Sequence, residues 1–195
     1  MVFFVYIFSF PEISFNATDN PSSNSMEYIY RGNTYGGIKV LPNMLDLYGE
    51  SDVRADIKGY EDGSDQIRNM CKYPNREANV IVIRYEEIVL GYAEALFQLG
   101  VTEAALTWFH MIPEAGRAAV YDSVTEENIL LERRKELIFE GLYYWDLMRY
   151  EKDIEKVDVL QNIFETVAYG DFRLAYPLPL TEIDANSNIE ENRGY

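Results

Sequence analysis

The sequence predicts a mainly α-helical fold: a helical hairpin, one further helix, long loops and a short N-terminal β-strand. Three observations point there. Apolar side chains recur at helical spacing over residues 84–99 and again over 129–148. The stretch from 11 to about 80 is instead dense in Asn, Asp, Pro, Gly and Ser, which favour turns and solvated backbone. We read one domain with a loop-rich part (1–80), a helical part (81–150) and a C-terminal loop region (151–195).

The N-terminal "MVFFVYIFSF" is rich in Val, Phe, Tyr and Ile, which suits a buried strand at 2–10. No Lys or Arg precedes it and no small-residue cleavage site follows, so it does not read as a signal peptide. It is too short to span a bilayer as a helix. A buried strand at the first residue implies that the natural chain begins further upstream. "NATDNPSSNS" and "RGNTYGG" are loops, with a short helix expected near Pro42–Tyr48. "EDGSD" at 61–65 lacks the alternating ligands and closing Glu of a calcium loop and reads as a solvated turn.

Residues 84–99 give the clearest helix. Tyr85, Ile88, Val89, Tyr92, Ala95, Leu96 and Leu99 form one apolar face, and Gly100 stands at the C′ position. Leu90, Ala93 and Phe97 form a second, so this helix should be sandwiched between neighbours, as in stacked helical repeats. Thr102 opens a second helix that Pro113 should end near Met111. With partners missing, the hairpin should leave an exposed apolar patch.

Ser123 and Glu126 have capping-box spacing ahead of a third helix. Leu130, Leu137, Gly141, Tyr144, Trp145 and Met148 share one face; Glu132, Lys135, Glu136, Glu140 and Asp146 lie opposite. Arg134 falls within the apolar face and needs a carboxylate or carbonyl partner there. Arg134, Glu136, Gly141 and Trp145 are therefore assigned structural roles.

Chemistry is bounded by what is present. The 17 basic residues against 33 acidic give a net charge of −16, which repels nucleic acid and anionic membrane surfaces. Cys71 alone cannot make an internal disulfide, and reads as a small, partly buried side chain. His110 is the single histidine and has no zinc partners, so a helix-end packing or capping role is expected. No phosphate loop, nucleophile elbow or H-E-x-x-H motif occurs, and no cofactor or metal is expected.

"RYEEIVLGYAEALFQLG" at 84–100, "ERRKELIFEGLYYWDLMRY" at 132–150 and "YPLPLTEIDANSNIEENRGY" at 176–195 resemble, in order, three blocks of the SusD/RagB family. "LPNMLDLYGESDVRADI" at 41–57 resembles that family's segment with a Tyr and an Asp-x-Arg ahead of the helices, and "NRGY" its C-terminal end. One block departs: "ALTWFHMIPEAG" has His110 where the family has Asn, Pro113 where it has Arg, and lacks a second Arg.

The resemblance implies a SusD-like fold with tetratricopeptide-like helical repeats, of which this is the C-terminal part. It implies a non-catalytic, outward-facing outer-membrane lipoprotein that binds oligosaccharide and passes it to a SusC-like TonB-dependent transporter. Membrane attachment would run only through a lipid anchor outside this stretch. The alternatives are a carbohydrate hydrolase using carboxylates such as Asp52, Asp56, Glu86 or Glu87, and a helical-repeat interaction module. Hydrolysis needs two carboxyls opposed across a pocket, whereas these acids read as solvated or arginine-paired. For sugar contacts, Tyr28, Tyr30, Arg31, Asn33 and Tyr35 cluster in a loop, offering rings that are apolar in body and polar at the tip. Tyr85, Tyr92 and Tyr144 are expected to pack in the core.

Overall fold

A computed structural model describes residues 11–31, 38, 40–60, 67–69, 71–159, 161–163 and 165–195. The expected strand at 2–10, the turn at 61–65, Asn33 and Tyr35 lie outside the described residues. Two compact units result, Met1–Tyr143 and Tyr144–Tyr195.

The first unit is built on three packed helices, α2 (Tyr85–Gln98), α3 (Thr102–Ala115) and α4 (Glu126–Glu136). Before them come β1 (Glu12–Ile13), α1 (Met26–Tyr30), β2 (Lys58–Tyr60), β3 (Ile67–Asn69) and β4 (Val80–Ile81). β1 pairs antiparallel with β4, and β2 with β3. The short helix expected at 42–48 is a 3-10 helix over Pro42–Leu47.

Local chemistry explains the helix ends. Glu86 and Glu87 favour the positive N-terminal end of α2. Gly100, at φ +75°, closes its C-terminus: the Gly100 N–H donates to Phe97 O and the Val101 N–H to Leu96 O. That is a Schellman arrangement. Pro113 does not end α3; it is buried in the last turn, and the helix runs on to Ala115. Loss of one N–H near a helix end is tolerated where the ring packs.

The core seats Val89, Leu90 and Ala93 of α2 with Ala105, Phe109 and Ile112 of α3 and Ile129 of α4. Each large side chain removed from water contributes about 1.5–3 kcal/mol. Of the first apolar face of α2 only Val89 is buried with Leu90 and Ala93 of the second. Tyr85, Ile88, Tyr92 and Leu99 are exposed, with Tyr92 edge-on to exposed Trp108. The expected apolar patch is present on this outer side, and Tyr85 and Tyr92 are not core residues.

The third helix also differs from expectation. Its N-cap is Thr125, whose hydroxyl accepts from the Asn128 N–H at 3.1 Å, two residues after the predicted Ser123. It is two helices, because α4 stops at Glu136 and α5 (Tyr143–Arg149) follows. The intervening turn has Phe139 at φ +66° and Gly141 at φ +75°, so Gly141 serves the break and not a helix face.

In the second unit, the Tyr144 hydroxyl donates to Leu174 O and the Tyr195 hydroxyl to Ala175 O, each at 2.9 Å. α6 (Leu180–Ala185) follows Pro179. The tail then folds back through Asn192, whose amide donates to Tyr176 O. Gly194, at φ +109°, lies so close to Phe172 that a Cβ would sit 2.5 Å from its Cγ. Trp145, expected inside, is 65% exposed and meets Tyr144 edge-on. Asp146, expected outside, is buried and binds Arg149 Nε at 2.9 Å.

Candidate functional site

The buried face of α4 is charged. Glu132, Arg133, Lys135 and Glu136 are buried, and Glu132 is 0% exposed. Arg134 is only half-buried, with its guanidinium 4.7 Å from the Tyr143 ring centre. The polar face thus points in, and Arg134 is not the buried charge.

Arginines from upstream make this possible. The Arg54 guanidinium grips both oxygens of Asp52 at 2.9 Å and donates through Nη1 to Glu132 at 2.5 Å and Glu136 at 3.1 Å. Arg84 donates to Glu136 Oε1 at 2.6 Å and Glu140 Oε1 at 2.5 Å, and its Nε lies 3.2 Å from Glu86 Oε2. Burial opposes the charge on both arginines, but the surrounding carboxylates outweigh it and hold them protonated. Asp52 and Glu86, read earlier as possible hydrolytic acids, are buried ion-pair partners; Asp56 is exposed.

The last carbonyls of α4 have no helical partners. A collar of remote side chains supplies them. Tyr48 Oη donates to Lys135 O at 2.9 Å, and Arg84 Nη1 to Glu136 O at 3.2 Å. Lys72 Nζ donates to Glu136 O at 3.0 Å, Ile138 O at 2.8 Å and Glu140 Oε1 at 2.5 Å; Tyr73 Oη donates to Phe139 O at 3.2 Å. Cations and hydroxyls at a helix C-terminus answer its negative dipole end. This collar satisfies carbonyls that the break after Glu136 leaves open.

His110, expected at a helix end, lies within α3, and its Nε2 donates to Tyr121 O at 2.8 Å. Tyr121 Oη in turn donates to Glu132 Oε2 at 2.9 Å. Cys71, expected to be partly buried, is exposed, although its thiol reaches Asp56 O. Gly116 lies against Arg54: a Cβ there would stand 2.7 Å from Nε. Gly116→Ala is expected to push Arg54 off Asp52 and cost about 1–3 kcal/mol in a urea titration.

Burial raises the pKa of Tyr48 and of Tyr121, the latter helped by Glu132. Above pH 10 the unfolded tyrosines lose protons that the folded ones keep, so the unfolded state binds fewer protons and stability falls as pH rises. Each contributes a slope of about 1.4 kcal/mol per pH unit, so Tyr121→Phe should flatten alkaline unfolding by about that amount.

Tyr28 and Tyr30, expected in a loop, lie on the short helix α1. Ser25 caps α1 by accepting the Tyr28 N–H, and Arg31 closes it. Tyr28 and Tyr30 are two residues apart and face different ways. Tyr28 lies under the Arg76 guanidinium at 5.1 Å; Tyr30 stacks on Tyr73 at 5.9 Å and tilts against Phe139 at 5.8 Å. Both therefore meet the turn at 73–76, which sequence reasoning did not connect with them. The turn signal "YPN" was visible; its partner was not.

The sequence profile of the SusD family matches residues 68–195. The chain belongs to the SusD family. A SusD-like protein, P38, from Formosa agariphila is 31% identical over an alignment of 132 residues that covers 61% of this chain and 25% of that protein. Among solved structures, a candidate sugar-binding protein from Bacteroides vulgatus superposes with a TM-score of 0.82 at 28% identity, over 94% of this chain and 45% of that one. The Bacteroides thetaiotaomicron surface glycan-binding protein A in complex with laminarihexaose shares the fold: TM-score 0.66, 19% identity, 84% of this chain and 43% of that one. The chain thus spans less than half the length of these solved relatives. The mainly helical SusD-like fold expected from the sequence is the observed one.

Proposed function

We propose that this chain is the glycan-binding, non-catalytic part of a SusD-type protein. Membership of the SusD family carries the reading. In support, Tyr30 meets Tyr73 and Tyr28 meets Arg76, and Arg31 follows at the end of α1, which combines rings suited to sugar C–H groups with guanidinium donors for hydroxyls. Asn33 and Tyr35, which follow in the sequence, complete the proposed contact set. Of the four carboxylates named for hydrolysis, Asp52 and Glu86 are paired with arginines.

The protein would act outward-facing on the outer membrane and hand oligosaccharide to a SusC-like TonB-dependent transporter. Among the described residues no helix is long and apolar enough to cross a membrane; the lipid anchor belongs to the proposal through family membership alone. The transporter partnership is tested by co-purifying the two from detergent.

Calorimetry with laminari-, cello-, malto- and xylohexaose, together with an assay for new reducing ends, tests the binding reading. Heat of binding without new ends is expected. Release of reducing ends, or no binding to a broad glycan array, would overturn it. Tyr30→Ala or Tyr35→Ala should weaken the affinity; no change in either removes this loop from the site.

A further inference from the structure

Two aromatic residues in the first unit hold left-handed backbones, Tyr73 at φ +55° and Phe139 at φ +66°, and both touch Tyr30. Bulky side chains rarely adopt this conformation, and it persists only where the surroundings over-determine it. The surroundings here converge on Lys72. Its backbone is closed by Asn69, which is 1% exposed: Oδ1 accepts the Lys72 N–H at 2.9 Å and Nδ2 donates to Lys72 O at 2.6 Å. Its ammonium spends its three donors on Glu136 O, Ile138 O and Glu140.

Lys72 thus precedes one strained aromatic and binds the carbonyl of the residue preceding the other. The Tyr73 hydroxyl then closes the link by donating to Phe139 O. We propose that Lys72 is a positioning residue for the sugar contact: it clamps the 69–73 turn to the end of α4, fixing Tyr73 and Phe139 as the bed on which Tyr30 is presented. This rests on the reading that Tyr30 contacts glycan. Lys72 itself touches no sugar. Its work is to keep a half-buried ring from reorienting, and so to spare the ligand the cost of ordering it.

The test compares Lys72→Met with Tyr30→Ala and Tyr121→Phe. Tyr121 lies in the charged frame but in none of the contacts around Tyr30. Each variant is titrated by calorimetry, well below its unfolding temperature, with whichever of the four hexaoses binds the unaltered chain. Near-ultraviolet circular dichroism reports the coupled Tyr30 and Tyr73 rings through the difference that Tyr30→Ala makes to the signal of all the aromatics. Lys72→Met is expected to weaken binding about tenfold, as Tyr30→Ala does, because one ordered ring contact is lost. It should also reduce the dichroism signal, while Tyr121→Phe binds within about twofold of the unaltered chain.

If Tyr30→Ala loses affinity and Lys72→Met does not, the positioning role is overturned and the binding reading stands. Unchanged dichroism in Lys72→Met, or an equal affinity loss in Tyr121→Phe, also overturns it. If Tyr30→Ala binds normally, or no hexaose binds, the site and this role fall together. Should Lys72→Met not fold, Lys72→Gln, which keeps an amide donor but no charge, is judged by the same outcomes.

Discussion

Arg54→Met is expected to cost about 3–5 kcal/mol, because it removes the cation that three buried carboxylates share. The Arg54 side chain is 2% exposed, and Asp52, Glu132 and Glu136 beside it are hardly more so. Methionine fills the space without offering a donor. In a chain of this size the loss corresponds to a fall in Tm on the order of 10 °C. Arg134→Met is the control. Arg134 is half-buried over a ring, a contact worth about 0.5–1 kcal/mol at an exposed site. Thermal unfolding of the two variants side by side decides the matter: comparable losses would mean that Arg54 is no more buried in solution than Arg134.

The contrast shows where sequence reading succeeds and where it turns over. α2 was legible almost to the residue, since its periodicity, first-turn acids and C′ glycine are all local signals. The family blocks, with Tyr48 and the Asp52-x-Arg54 pair, were legible too. The sidedness of α4 was not. Periodicity places charges outward unless something neutralises them. The neutralising groups, Arg54 and Arg84, lie 78 and 52 residues away from their partners on this helix. The break after Glu136 was hidden for the same reason, its carbonyls being satisfied by Tyr48, Lys72, Tyr73 and Arg84. For the candidate site, the tyrosines of α1 were legible as a loop cluster. Their bed, Tyr73 and Phe139, is set by contacts between distant turns that carry no local mark.

Glu136 joins the two halves of the frame, and Glu136→Ala is expected to match Arg54→Met in cost, about 3–5 kcal/mol. One carboxyl oxygen binds Arg54 at 3.1 Å and the other binds Arg84 at 2.6 Å. Removing it leaves each arginine with its remaining acids, so neither is wholly orphaned. It also opens a cavity and places two guanidinium groups in a dry site without the charge between them. The two variants therefore remove parts of one network, and their costs should not add. A double-mutant cycle is expected to show Arg54→Met with Glu136→Ala losing less than the sum, by about 0.5–3 kcal/mol. Glu136→Gln separates charge from shape, since it keeps the volume and one acceptor. If Glu136→Gln costs nearly as much as Glu136→Ala, the charge between the arginines holds the frame. If it costs little, packing does, and the carboxylate acts here as a well-fitted spacer. Additive losses in the cycle would sink the hub role of Glu136 altogether, leaving Arg54 and Arg84 as two independent anchors of α4.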